Sequence, residues 1–303
     1  MELGYQKPLF ILPFDHRSSF IKNMFGITGQ PTSEQSQQVI ELKNIIYDGF
    51  SQAVKDGVPA DYAAILVDEQ FGDAVLRQAK QAGFTVCLSV EKSGQDEFDF
   101  EYGDQFQDHI KKYQPTFAKA LIRYNPESDL AMNRRQQERL KRLTDFCHSE
   151  GFKFLIEPLV PATAAQLEKV NGDKERYDNE LRPQLMVTMI KELQAGGVEP
   201  DIWKIEGLNH EAEYKMIVEQ ARSGGRKNVG AIILGRGADE KGVETWLRAG
   251  ANVNGMMGFA IGRTIFWQPL KDYTENKISR ADATAEIAKR FYHFYQVFIQ
   301  AQQ

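Results

Sequence analysis

The stretch PLFILPFDHRSS (8–19) is an apolar run of strand length closed by an acid, a histidine and an arginine. A doubly wound sheet normally carries a glycine-rich phosphate turn directly after its first strand. Here Asp15, His16 and Arg17 stand in that place. Seven further short apolar runs follow: DYAAILVD (61–68), FTVCLSVE (84–91), TFAKALIRY (116–124), FKFLIEPL (152–159), DIWKIEG (201–207), VGAIILG (229–235) and VNGMMGF (253–259). Their length and their bounding Gly, Pro and Asp residues fit buried strands. Between and after them lie helical patterns at 33–56, 70–82, 104–113, 127–150, 180–196, 211–223, 239–249 and 279–301. Ser33 and Asp239 stand as helix-start signals for the first and seventh of these. Near-continuous apolar strands in strict alternation with helices spell a parallel sheet covered on both faces. Eight such units close most simply as a single (β/α)8 barrel, with residues 1–303 as one domain. Segments 18–33 and 160–180, richer in polar, Gly and Pro residues, read as insertions.

Composition narrows the function classes. The 303 residues are 42% hydrophobic and 26% charged, which is globular and excludes a disordered or collagen-like chain. Length alone would allow two domains at about 150 residues each, but no Pro/Ser-rich linker divides the chain. The net charge is −5 with no long basic run, so nucleic acid is not expected as a main partner. No stretch approaches the ~18 consecutive apolar residues of a membrane span. The start, MELGYQKPLF, lacks the pattern of a secretory signal, and Cys87 and Cys147 are the only cysteines. A disulfide framework is therefore not expected, and a reducing cytoplasm is the expected location.

In a (β/α)8 barrel, reactive groups point inward at the C-terminal ends of strands. The two-residue period of a strand tells inward from outward. In the sixth run Trp203 and Ile205 suit the helix-covered face, which turns Lys204 into the barrel. In the fourth, Ala118, Ala120 and Ile122 face out, which turns Lys119 and Arg123 in. Phe154 and Ile156 leave Glu157 inside, and Phe10, Leu12 and Phe14 leave Asp15 inside with Arg17 just beyond. Four strands thus aim Asp15, Lys119, Glu157 and Lys204 at one mouth. Two readings stand side by side. A lysine in an apolar strand must be paired or neutral, so Lys204 can form a structural ion pair with Glu157 or Asp15. Alternatively, a desolvated lysine beside a second cation is a nucleophile towards ketones, forming an iminium that draws electrons from the adjacent carbon–carbon bond while nearby carboxylates move protons.

The last two runs end in LGRGAD (234–239) and GFAIGRT (258–264). Glycine lets backbone amides approach an anion, a helix start follows each loop, and Arg236 and Arg263 add forked cations. Gly235, Arg236, Gly237, Gly262 and Arg263 are therefore candidate phosphate ligands, tight βα turns being the plainer alternative. His16, His109, His148, His210 and His293 are scattered without metal-ligand spacing. The parity of the first run turns His16 outward. Glu91 and Lys92 read as a rim salt bridge or a substrate contact, and Asp68 and Glu69 as a helix cap. Cys87 and Cys147 read as core. The basic run Arg134, Arg135, Arg139, Lys141, Arg142 reads as a solvated helix face.

The segments ILPFDHRSSF (11–20), AILVDEQFG (64–72), AKALIRYNP (118–126), FLIEPL (154–159), DIWKIEG (201–207) and GFAIGRTIFW (258–267) resemble, in collinear order, the class I aldolases of the tagatose 1,6-bisphosphate aldolase type. They are most similar to the aldolase-like domain fused behind the kinase in bacterial 5-dehydro-2-deoxygluconokinases. The resemblance implies a Schiff-base lysine at Lys204, the second lysine at Lys119, the acids at Glu157 and Asp15, and phosphate loops at Gly235–Gly237 and at Gly262 and Arg263. It also implies a metal-independent reaction without a cofactor. The implied substrate is 5-dehydro-2-deoxy-6-phosphogluconate, cleaved to dihydroxyacetone phosphate and malonate semialdehyde in inositol breakdown. The chain departs from the bisphosphate aldolases at Arg236 and at Gly207-Leu208, and it lacks a kinase domain. An acidic phosphosugar suits Arg17, Arg123, Arg236 and Arg263 at the mouth. The competing expectations are a phosphosugar-binding regulatory barrel without catalysis and a metal-dependent aldolase or isomerase. The stripe Ile287, Phe291, Phe294, Phe298 leaves two expectations open, an assembly of identical subunits or a cover for the barrel floor.

Overall fold

The computed structural model describes residues 2–302. All eight apolar runs form strands: β1 (Leu9–Pro13), β2 (Ala63–Val67), β3 (Thr85–Ser89), β4 (Phe117–Arg123), β5 (Lys153–Leu159), β6 (Ile202–Glu206), β7 (Gly230–Leu234) and β8 (Met256–Ala260). Each pairs in parallel with the next in sequence, and β8 pairs with β1, so the sheet closes into a (β/α)8 barrel. Alternation splits each strand between two cores. Leu9, Ile11, Ala64, Leu66, Cys87, Phe117, Leu155, Ile202, Ile232 and Ala260 meet in the lumen. Phe10, Leu12, Ile65, Phe154, Trp203 and Ile205 face the surrounding helices instead. The lumen is thus filled below the mouth, and on β4, β5 and β6 the inward residue two further along is charged: Lys119, Glu157 and Lys204.

The helices are α1 (Ser18–Phe25), α2 (Ser33–Lys55), α3 (Glu69–Gln81), α4 (Phe106–Tyr113), α5 (Leu130–Glu150), α6 (Ala164–Lys169), α7 (Lys174–Arg176), α8 (Arg182–Ala195), α9 (Glu211–Arg222), α10 (Glu240–Gly250), α11 (Arg263–Thr274) and α12 (Arg280–Ala301). Every expected helical pattern has its helix, and four segments are additions. The stretch 18–33 contains α1, and 160–180 folds as α6, α7 and a π-turn (Tyr177–Leu181) leading into α8. The fourth addition, α11, carries Pro269 in its interior, which hides the segment from propensity reasoning. The cap of α2 lies one residue earlier than Ser33, at Thr32, which forms a reciprocal capping box with Gln35. Asp239 caps α10 as expected, and Asp68 caps α3.

The aromatic stripe of α12 covers the barrel wall where the sheet closes. Phe298 lies 5.7 Å from Phe10 of β1, and Phe291 lies 5.9 Å from Phe259 of β8, ring centre to ring centre. Among the described residues, no helix is long and apolar enough to cross a membrane.

Candidate active site

The C-terminal mouth of the barrel opens into a cavity of about 330 Å³, and Asp15, Glu91, Lys119, Glu157 and Lys204 all line it. Asp15, Lys119, Glu157 and Lys204 point inward as parity predicts. Lys119 follows Phe117 on the inner face of β4, Glu157 follows Leu155 on β5, and Lys204 follows Ile202 on β6. The two lysines are almost wholly buried, at 1% and 2% exposure. Lys119 Nζ lies 2.7 Å from Asp15, 2.6 Å from Glu91 and 2.9 Å from Glu157. Among the described residues Lys204 Nζ pairs with Glu157 alone, at 2.9 Å. Both nitrogens share the same oxygen, Oε2, which makes them neighbours.

These contacts divide the charges. Burial disfavours the Lys119 ammonium, yet Asp15, Glu157 and Glu91 together hold it charged, well above the ordinary lysine range. Burial pushes the Asp15 and Glu157 carboxyls up, but Lys119, with Lys204 also nearby, brings both below their usual range. At Glu91 burial wins: the attraction of Lys119 does not offset it, Asp15 adds repulsion, and the carboxyl is raised. The site therefore holds two carboxylates that stay ionised and one carboxyl that keeps its proton more readily.

Glu91 is thus more than half of a rim salt bridge. Its Oε1 takes a hydrogen bond from Lys119, while its buried Oε2 has no partner among the described residues. Its inward direction was legible from parity, since Cys87, Ser89 and Glu91 share a face. His16 corrects the opposite way. Parity turned it outward, but β1 ends at Pro13, so alternation no longer governs residue 16 and its side chain lines the cavity. Burial, together with Arg263, outweighs Asp15 and pushes the imidazole down to about 4. It is therefore neutral near pH 7, and its buried Nδ1 lacks a partner.

The four arginines expected at the mouth all line the cavity, with different degrees of commitment. Arg17 is buried and donates to the Glu91 carbonyl and, at 2.7 Å, to Glu101. Arg236 pairs with Asp178 at 2.6 Å and Glu206 at 3.0 Å. Glu206, inward on β6 like Lys204, also accepts from the Val160 amide at 2.9 Å, tying the 160–181 insertion to the barrel. Arg123 donates to the Gln95 carbonyl at 2.8 Å, its nearest carboxylate being Asp96 at 3.8 Å. Arg263 donates only to the Arg236 carbonyl, at 2.9 Å, among the described residues.

The two glycine loops meet around Arg263. Gly237 has φ 76°, and a Cβ there would sit 2.6 Å from the Arg263 guanidinium. A Cβ on Gly262 would sit 2.3 Å from the Pro13 carbonyl oxygen. Gly262 is the cap of α11; the Ile265 amide donates to its carbonyl at 2.8 Å, while the Arg263 and Thr264 amides have no partner among the described residues and are free to meet an anion. Gly235 packs its backbone against Ile261, and its amide is used by Ala260 O at 3.2 Å. Across the mouth, the loop 92–99 is strapped down by α5. Arg135 and Arg139 hold Glu97 at 2.7 and 2.6 Å, and Gln136 accepts from the Phe98 amide. That part of the basic run is a fastening, not merely a solvated face. Among the described residues, only Glu240, Glu244 and His293, on the outer helices α10 and α12, bring three groups together in a way that suits a metal.

A family model described as "Uncharacterized protein conserved in bacteria (DUF2090)" matches residues 4–302. Among solved structures, the fold is similar to that of Cgl0159 from Corynebacterium glutamicum, with a TM-score of 0.58 and 16% identity over 97% of this chain and 88% of that one. It is also similar to a Schiff base forming fructose-1,6-bisphosphate aldolase, with a TM-score of 0.56 and 12% identity over 96% of this chain and 94% of that one. At these identities the likeness concerns the barrel fold.

Proposed function

The chain belongs to the DUF2090 family, and we propose that it is a metal-independent Schiff-base aldolase acting on a phosphorylated keto sugar or keto sugar acid. The observation that carries the reading is the unequal treatment of two adjacent lysines. Lys119 is clamped by three carboxyl groups and stays charged, so it cannot serve as a nucleophile. Lys204 has one carboxylate partner, Glu157, and faces the cavity. A lysine attacks a carbonyl only as the free amine, so Glu157 is placed to hold the proton that Lys204 releases.

In this reading Lys204 adds to the ketone, and loss of water from the carbinolamine gives an iminium. Glu157, with the Lys119 ammonium beside it, delivers the proton that lets water leave. An ionised carboxylate, Asp15, removes the proton from the substrate hydroxyl as the carbon–carbon bond breaks. The bond electrons then pass to the iminium, giving an enamine. Arg263, the amides that begin α11 and the Gly237 turn hold the phosphate. Arg236 shapes that loop, and Arg17 and Arg123 supply positive charge around the mouth. In an eight-strand barrel, β4 and β8 are opposite walls, so Arg123 and Arg263 stand across the cavity from one another. That separation suits a substrate anionic at both ends, and 5-dehydro-2-deoxy-6-phosphogluconate, cleaved to dihydroxyacetone phosphate and malonate semialdehyde, has that form. The solved relative named for Schiff-base chemistry is consistent with this reading at the level of fold.

Borohydride reduction in the presence of dihydroxyacetone phosphate tests it directly. The expected result is one covalent adduct, located at Lys204 by peptide mass. Lys204→Met loses both the adduct and turnover. A Lys204→Met protein that still releases triose phosphate overturns the reading, and an unaltered protein that binds phosphosugar but gives neither adduct nor triose phosphate identifies a non-catalytic binder instead.

A further inference from the structure

Cleavage leaves an enamine, and an enamine must gain a proton on carbon before the imine can hydrolyse. Asp15 and Glu157 suit the removal of protons, because lysine contacts keep both ionised. The donor must be a neutral acid with a proton free to point at the ligand. Glu91 meets that description by position. It stands two residues beyond β3 on the parity of Cys87 and Ser89, is 8% exposed, lines the cavity, and has a buried oxygen, Oε2, that nothing else occupies among the described residues. Its backbone is fixed from both sides. The Glu91 carbonyl accepts from Arg17, and residue 91 bridges to Phe100 at the base of the strap.

From the reading of Lys204 as the Schiff-base amine, we infer that Glu91 is a further catalytic residue, the acid that protonates the enamine carbon, and that Lys119 is the relay that recharges it. The step balances without any outside reagent. The enamine nitrogen's lone pair moves into the C–N bond, and the C=C pair forms a C–H bond with the proton on Glu91 Oε2. The O–H bond breaks, leaving Glu91 as carboxylate and restoring the iminium on Lys204. Lys119 Nζ, 2.6 Å from Glu91 and 2.7 Å from Asp15, then gives a proton to Glu91 and takes the one that cleavage left on Asp15. The hydroxyl proton of the substrate thereby returns as a carbon-bound proton of the product. Once the relay is complete, Glu91 is again the neutral acid, the state that its burial favours.

The alternative is that Glu91 merely neutralises Lys119. The two roles separate in deuterated water with dihydroxyacetone phosphate as the probe, because exchange of its hydroxymethyl hydrogen requires proton transfer at carbon whereas borohydride trapping requires only the iminium. Glu91→Gln, close to isosteric, is expected to keep the trapped adduct at Lys204 while exchange falls by about 100-fold or more. Exchange within about threefold of wild type overturns the inference. Parallel loss of trapping and exchange also overturns it, because Glu91 then only holds the lysines in place. If the wild-type chain gives neither adduct nor exchange, the Schiff-base reading fails and this inference fails with it. The pH profile of the unaltered protein gives a second check that needs no variant. Exchange begins with removal of the carbon proton by the Glu91 carboxylate, so it is expected to rise with pH through the Glu91 titration more steeply than trapping does, and parallel profiles overturn the assignment.

Discussion

Lys119 is the residue on which the electrostatics of the mouth turn. Three carboxyl groups in contact with one buried ammonium are tolerable only while that ammonium is present. Lys119→Met is therefore expected to cost about 3–5 kcal/mol near pH 7, the usual penalty for leaving buried charges uncompensated. The sign of the pH dependence follows from the individual shifts. Asp15 and Glu157 are depressed, so their contribution to stability is full above the ordinary carboxylate range and is lost as pH falls from there through their lowered folded-state titrations. Glu91 is raised, so its contribution is full at low pH and is lost as pH rises through its folded-state titration. In Lys119→Met, Asp15 and Glu91 lose their paired lysine and Glu157 keeps only Lys204, so protonating these buried acids relieves the variant. The gap to wild type, measured by urea unfolding at pH 7 and again near pH 5, is expected to shrink on acidification. A gap that widens there would show that the lysine does not govern these acids.

Among the elements, what the sequence could tell stopped where the ladder stopped. Period-two alternation placed Lys119, Glu157 and Lys204 because each lies within a hydrogen-bonded strand. The same rule failed at His16, three residues past the end of β1, where backbone direction is set by the turn into α1. Glu206 and Glu91 share the parity of Lys204 and Cys87, so the signal was present. What parity lacked was the partner: nothing in the order of residues said that Glu206 meets Arg236 or that Glu91 meets Lys119. The loops after β7 and β8 were recognisable as glycine-rich, but which glycine matters is a tertiary fact. At Gly262 the neighbour is backbone, the Pro13 carbonyl, which cannot swing aside as a side chain can. Gly262→Ala must push β1 away from the start of α11. A loss of about 2–3 kcal/mol in stability is expected, in the range of overpacked sites. The same shift moves Arg263 and the first amides of α11, so KM for phosphorylated substrate is expected to rise by more than kcat falls. Thermal unfolding and steady-state kinetics check the two halves, and unchanged KM in a destabilised variant would remove phosphate binding from this loop.

For the molecule as a whole, closure is the step that assembles the site, because β1 and β8 are the strands farthest apart in sequence and yet they pair. The alternation of runs announced eight parallel strands but not what seals the seam between the first and the last. The seal is α12. Phe298 is 1% exposed and lies 5.7 Å from Phe10 and 6.3 Å from Phe259, so one ring spans both strands of the seam. β1 leads to Asp15 and β8 leads to Arg263, so a base and a phosphate ligand hang from strands that this helix holds together. If residues 1–303 form one cooperative domain, damage at the seam lowers the stability of everything at once and does not release α12 alone. Phe298→Ala is expected to cost about 3–5 kcal/mol, as for a large ring deleted from a packed core. Its urea transition should stay single and keep the wild-type slope, with tryptophan fluorescence and circular dichroism coinciding. Two separated transitions, the earlier one confined to helix content, would show that the barrel stands without its last helix and that the seam is held by the strands themselves.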